Sequence, residues 1–257
     1  MRTEQGDIAL GSRVHVRGKS TMTCLPDLWQ IDIYNIAPED LSNLRKSDTV
    51  AAIGNRESVL CAGRPVDIVH SRNGRHQVTS VILVDGDRFW RSTVSLSLRG
   101  GADAVETVKA LLAHSSAPIP LAACPDVALR IPRGQSFYGR TADAVTSFAK
   151  AFGCRAYTYR DSLHIVQLGT GTAETIITDD EILADPSMMD GAVSLATDVV
   201  GRMVGRRVTV QNEQVGGVWR LISQYIDADS QTGPWRSELT LVDERMLAND
   251  GGWEGIL

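Results

Sequence analysis

The chain has 257 residues, a formal net charge of -5 at pH 7, 43% hydrophobic and 22% charged residues. That balance excludes a disordered or fibrous chain, and the acidic sign argues against a protein built mainly to grip phosphate backbones. No run approaches the ~18 consecutive apolar residues of a membrane helix. The N-terminal "MRTEQGDIALGS" also lacks the apolar stretch of a signal peptide, so residence in a cytosol is the expectation.

In chain order, the first 22 residues fit either an extra strand or an arm. Trp29, Ile31 and Ile33 then alternate with Gln30, Asp32 and Tyr34, which predicts a strand. In "NIAPEDLSNL" Pro38 suits the first turn of a short helix. "TVAAIG" and "SVLCAG" read as further short strands. A meander of three strands follows, "RPVDIVH", "HQVTSVILV" and "RFWRSTVSLSL", with Asn73-Gly74 and Asp85-Gly86 as its hairpin turns, because both dipeptides tolerate positive φ. Val94, Leu96 and Leu98 alternate with Ser95 and Ser97, one face apolar and one polar. Residues 29–98 are thus expected to form a small antiparallel barrel or sandwich.

After Gly100-Gly101 the period changes to helical. Val105, Val108, Leu111 and Leu112 share a face, and Asp103 with Glu106 forms a capping box at its start. A proline-punctuated connection leads to a second helix opened by Thr141, with Val145, Phe148, Ala149 and Phe152 on one face and Gly153 as its stop. "CRAYTYRDSLHIVQLG" reads as a hairpin turning at Arg160-Asp161-Ser162. "TDDEIL" (178–183) reads as a helix N-terminus, whose dipole favours acids. Three more strands, "RRVTV", "VWRLISQYI" and "WRSELTLV", follow, and "GGWEGIL" is a docking tail or a loose terminus.

Candidate sites are few. Asp227 and Asp229, with Trp235 just after the turn, can be read as a hydrolytic acid pair, a calcium loop or the bend of a hairpin. Residues i and i+2 in a turn seldom flank a scissile bond. The calcium reading, with Asp227, Asp229 and Gln231 as first ligands, fails because Thr232 stands where glycine is needed and Glu238 lies in a strand. The hairpin reading is preferred, with both carboxylates aimed at solvent or a neighbouring subunit. Asp85 and Asp87 are read as turn residues.

His15, His70, His76, His114 and His164 fall in no catalytic or ligand spacing, and no nucleotide-binding loop is complete. Cys24, Cys61, Cys124 and Cys154 form no CxxC and are expected reduced and mostly buried. Arg202, Arg206 and Arg207, and separately Arg13, His15, Arg17 and Lys19, are basic clusters that could touch nucleic acid or an acidic partner, with a solvated face as the plainer expectation. No catalytic residue, cofactor site or metal site is therefore expected, and the chain is read as a non-enzyme.

The order of these segments, above all "GGVWRLISQYIDADSQTGPWRSELTLVDE", resembles the tail-hub (baseplate hub) proteins of bacteriophages, kin to the hub part of contractile secretion spikes. "QSFYGRTADAVTSFAKAFGCRAYTYRDSLHIVQLG" is similar to the family's middle unit, and "WQIDIYNIAPEDLSNLRKSDTVAAIG" to its opening strand, helix and strand. The likeness spans roughly residues 28–244 and consists of pattern more than of particular residues. It implies an α+β, β-rich fold of two antiparallel tail-tube-type β-barrels with an inserted helix-and-hairpin unit. The implied boundaries are 1–100 for the first barrel, 101–172 for the small unit, 173–244 for the second barrel and 245–257 for a C-terminal tail.

The implied role is mechanical: a trimeric ring at the tip of a tail tube, with an axial channel for tape measure and DNA. Its partners would be copies of itself, the tube protein, distal tail or tip/fibre proteins and the tape-measure protein, and its place the virion tail, with no membrane insertion of its own. Trp219, Trp235 and Tyr225 would be core or interface anchors, with core favoured for Trp219. Two rival readings remain. One is a tail-borne peptidoglycan or glycan hydrolase using Asp227 and Asp229, or Asp85 and Asp87. The other is a carbohydrate-binding β module stacking sugars on Trp235 and Tyr138.

Overall fold

The computed structural model describes residues 1–4, 6–8, 11–54, 59–73, 76–125, 133–169, 175–231 and 233–248. Thirteen strands join in one sheet. Its first part comprises β1 (Arg2–Thr3), β2 (Gly6–Asp7), β3 (Val14–Thr21), β4 (Asp27–Tyr34), β5 (Val50–Ile53), β6 (Val59–Asn73) and β7 (His76–Asp85). Helix α1 (Pro38–Lys46) lies between β4 and β5, with Pro38 in its first turn as expected and Leu44 buried. The first residues are therefore strands. The two short segments "SVLCAG" and "RPVDIVH" are a single 15-residue strand, β6, carrying a bulge between Pro65 and Asp67.

The meander stops one strand early. β6 and β7 pair as a hairpin, Asn73 opposite His76; Gly74 of the expected turn lies outside the described residues. At Asp85-Gly86, however, Gly86 takes φ 77° and starts a short helix, α2 (Asp87–Arg91). β8 (Thr93–Leu98) then leaves the sheet and pairs with β10 (Gln135–Arg140). The cause is packing: Phe89 is fully buried beneath α3 (Ala104–Ala113) and α4 (Thr141–Ala151), so the chain turns into that core and cannot double back on β7.

The small helix-and-hairpin unit follows the sequence closely. Asp103 and Glu106 make both bonds of the capping box of α3. Gly153 takes φ 65° just after α4. Phe148 stands edge-on to Phe137 and Phe152, with centroids at 5.9 and 4.7 Å; each such pair contributes about 0.5–1.5 kcal/mol beyond area burial. β11 (Cys154–Tyr159) and β12 (Ser162–Gln167) form the hairpin, and β9 (Leu121–Ala123) adds to it in parallel.

The last part holds β13 (Thr175–Thr178), β14 (Ser187–Met189), β15 (Ala192–Thr197), β16 (Arg207–Gln211), β17 (Gly217–Asp229) and β18 (Trp235–Val242), then α5 (Glu244–Ala248). "TDDEIL" gives only a single 3-10 turn, capped by Thr178 and Glu181. The strands β13 to β15 come from a stretch that the sequence pattern leaves irregular. The tail "GGWEGIL" lies outside the described residues.

The strand path runs β14-β15-β18-β17-β3-β4-β7-β6-β5-β1-β2, with β16 beside the first half of β17 and β13 beside β16. These thirteen strands thus form one continuous sheet with free ends, and no closed barrel is found among the described residues. β17 joins its halves. Trp219, Leu221 and Ile222 enter the core under β15 and β18, while Ile226 and Ala228 enter the core under β3, β4 and β7. A register shift between Leu221 and Ser223 marks the change of neighbour from β16 to β3.

Candidate functional site

β17 meets the first half at β3, which is hydrogen-bonded to β17 on one side and β4 on the other. The period-2 alternation of β3 sends Val16 into the core and His15 and Arg17 to the opposite face. Gly18 sits opposite Trp29 in the register. A Cβ there would run into the Trp29 indole and lie 2.7 Å from the Leu28 carbonyl oxygen, so the close approach requires glycine.

On the outer face, Arg13, His15 and Arg17 of β3 and its entry meet carboxylates of β17 and β4. Arg13 donates to Asp229 through Nε at 2.9 Å and Nη2 at 2.6 Å. His15 Nε2 lies 2.6 Å from Asp227, and Arg236 lies 3.8 Å from the same carboxylate. Arg17 Nη2 donates to Asp32 at 2.9 Å. Burial alone would raise the Asp32 pKa, but hydrogen bonds from Gln30, Ser80 and Arg17 hold it below the usual carboxylate value.

The hairpin reading of Asp227 to Trp235 stands: β17 and β18 pair through Ala228 opposite Trp235. The expected outward aim of the carboxylates does not. The Asp229 side chain is 1% exposed and the Asp227 side chain 15%, both turned onto β3. Asp229 also accepts the backbone N–H of Gln231 within the turn. Asp229 is held by Arg13 and Asp227 by His15, with Arg236 at 3.8 Å, so the two acids turn to separate partners and do not converge on a shared reacting atom. Among the described residues no three His, Cys, Asp or Glu side chains are placed to hold a metal; Thr232 lies outside them.

Asp85 and Asp87 are buried anchors rather than turn residues. Asp85 accepts the backbone N–H groups of Arg160 and Asp161, both at 2.6 Å. Those two residues make the tip of the β11–β12 hairpin with φ of 53° and 57°, left-handed values that non-glycine residues adopt at a cost. Arg160 further donates to the Val59 carbonyl, so this tip is clamped to the main sheet. Asp87 receives Arg64 at 2.5 Å and Arg91 at 2.6 Å.

Beside Asp85 in the sheet stands Asp27, which the sequence reading passed over. It accepts Thr21 N and Thr21 Oγ1, each at 2.9 Å. Burial pushes Asp27 up to about 7, with the Asp85 charge adding to it, and burial pushes Asp85 up to about 6. These shifts belong to a structural clasp between main sheet and small unit; the groove of about 540 Å³ nearby is lined instead by Cys24, Leu25, Trp90, Thr146 and Arg155.

The scattered histidines remain scattered. His70 meets Thr79, His76 meets Asn35 and His114 meets the Ala110 carbonyl. His164 stacks on Tyr157, and burial followed by the Arg206 charge pushes it down to about 4. The basic clusters are not simply solvated faces. Arg202 pairs with Glu181, while Arg207 and Arg220 converge on Glu244. Trp219 is core, its Nε1 donating to Val215 O at 3.0 Å; Trp235 is half-buried against the core, and Tyr138 is 90% exposed. All four cysteines are free, three of them buried.

No family model matches the sequence, and no curated protein is similar enough to match it. Solved structures do share the fold. A tail protein from Neisseria meningitidis is 13% identical with a TM-score of 0.63, over 93% of this chain and 93% of that one. A 43 kDa tail protein of prophage MuSo2 from Shewanella oneidensis is 8% identical with a TM-score of 0.66, over 91% and 98%. An E. coli component of the type VI secretion system, which exhibits structural similarity to T4 bacteriophage tail proteins, is 12% identical with a TM-score of 0.59, over 90% and 74%. The fold resemblance to phage tail proteins is thereby shown.

Proposed function

We propose that this chain is a structural component of a bacteriophage tail, a hub whose copies close into a trimeric ring at the tip of the tail tube. The observation that carries the reading is a fold shared with tail proteins along nearly the whole length of both chains. The two halves of the sheet, joined through β17, are the counterparts of the two tube-type barrels, each half completing its curvature against neighbouring subunits. The chain divides at 1–100, 101–172, 173–244 and 245–257. Its partners are the tube protein, tip or fibre proteins and the tape measure, with DNA passing through the axis. Its place is the virion tail, assembled in the host cytoplasm.

A mechanical role agrees with the chemistry of the acids. Asp227, Asp229, Asp85 and Asp87 all hold β-strands and turns in place through arginine or histidine side chains or backbone N–H groups. The test is size-exclusion chromatography with light scattering on purified protein, alone and mixed with its tube subunit, followed by electron microscopy. A mass of three subunits and a ring are expected. Monomer under every condition, with hydrolysis of peptidoglycan lost on replacing Asp227 and Asp229 by Asn, would overturn the reading.

A further inference from the structure

Among the described residues, two of the open strand edges also expose apolar side chains. β14 pairs with β15 alone. Beyond Gly63, β6 has no neighbour but β7 among the described residues, which leaves residues 64–73 with one unpaired side. Open edges with apolar side chains are templates for another strand. Both edges carry such side chains: Met188 and Met189 are 58% and 75% exposed, and Val66 and Val69 are 46% and 50% exposed.

The edges differ in charge. Residues 175–198 contain six carboxylates, of which Asp185 and Asp190 bracket β14, and no Lys, Arg or His. Along the β6 edge stand Arg64 and Arg72 against Asp67, and Arg64 joins this edge to α2, where Arg88 is exposed. Pairing β14 with its own copy would bring Asp185 and Asp190 near their duplicates, a like-charge contact that disfavours an isologous dimer. Pairing it with β6 brings acid to base. Pro65 and the adjoining bulge blunt the start of the β6 edge, leaving the stretch after Asp67 regular and able to accept a strand.

We propose that β14 of one copy adds to the open edge of β6 in the next, so that the sheet passes from subunit to subunit around the ring. This rests on the ring reading above and specifies its interface. The contact is head-to-tail, and such contacts close when the rotation between subunits closes.

The test uses the full chain under conditions where the wild type assembles. One variant carries Asp185→Lys and Asp190→Lys, a second carries Arg72→Glu and Arg88→Glu, and a third carries all four changes. All four residues are exposed, but Asp190 holds φ 50° in its turn and Arg72 has a contact of its own, so assembly is compared at temperatures where the thermal melt shows every variant folded. Each paired reversal is expected to raise the protein concentration needed for half-assembly by about tenfold or more, and the fourfold variant to bring it back toward wild type.

In addition, Met189→Cys with Val69→Cys in one chain should give disulfide-linked multimers on mild oxidation of assembled rings. Rings that form equally well from every variant, or assembled rings with no such crosslink between copies, overturn the edge pairing and leave the ring standing. A crosslink running only to another tail protein overturns it too. Failure of the wild type to form any closed oligomer overturns both.

Discussion

At the scale of single residues, the buried carboxylates determine more than their number suggests. Asp85 holds Arg160 and Asp161 in left-handed conformations by accepting both of their N–H groups. Asp85→Ala leaves those donors without their acceptor and the turn strained, and should cost about 2–4 kcal/mol in urea denaturation. Adding Asp161→Gly, which removes the strain at one of the two positions, should recover about 1 kcal/mol in that background. Asp27 offers a test in pH. Its folded pKa of about 7 lies above its ordinary 3.8, so between those values the folded chain holds a proton that the unfolded chain has released. Its contribution is fully present below about pH 4 and is lost as pH rises through 7. Asp85, which faces Asp27 from β7 and itself faces Arg160 and Asp161, shifts in the same direction. His164, pushed down to about 4, works in the opposite direction up to about 6.5. The quantity to read is therefore the difference between wild type and Asp27→Asn. Relative to wild type, the variant's urea midpoint should improve steadily from pH 5 to 8; a constant difference would remove Asp27 from the account.

At the scale of elements, β3 shows how a single strand can be decisive and still be hard to read. Its sequence, "VHVRGKST", alternates only weakly, because one face meets charged partners that come from more than 200 residues away as well as from β4. Nothing local announces Asp227 and Asp229 as those partners. The hairpin of β11 and β12, both capped helices and the β17–β18 hairpin were legible because their signals lie within a few residues. The same kind of signal also misled: Asp85-Gly86 looks like a hairpin turn but opens α2, while the Asp190-Gly191 turn of β14 and β15, with φ of 50° and 76°, was there to be read and was not. What separates the two is burial. Asp85 is drawn to the distant Arg160-Asp161 turn, and Asp190 is free to serve its own. Gly18→Val tests the weight of β3 directly. The added side chain meets Trp29 and the Leu28 carbonyl, so a loss of about 2–3 kcal/mol is expected on the urea midpoint. A loss below about 0.5 kcal/mol would mean that the indole moves aside and that the close approach is incidental.

At the scale of the whole molecule, the question is whether the two halves of the sheet stand or fall together. β17 contributes side chains to both cores, and β3 binds the far half of β17 to β4 through a full ladder. The outer-face ion pair Arg13–Asp229 and the His15–Asp227 contact cross the same seam. With backbone, core and charge all crossing at one place, opening one half exposes the edge of the other, which is the condition for a single cooperative transition. Fluorine-labelled tryptophan, followed residue by residue through a urea titration, reports the halves separately: Trp29 lies in the core under β3, β4 and β7, and Trp219 in the core under β15 and β18. Their midpoints should coincide in the wild type. In Gly18→Val they should separate, with Trp29 melting first, because the substitution loosens the ladder on its side while leaving β15, β16 and β18 around Trp219 intact. Separate midpoints already in the wild type would mean that β17 is a hinge between independent lobes and that the seam carries little of the coupling.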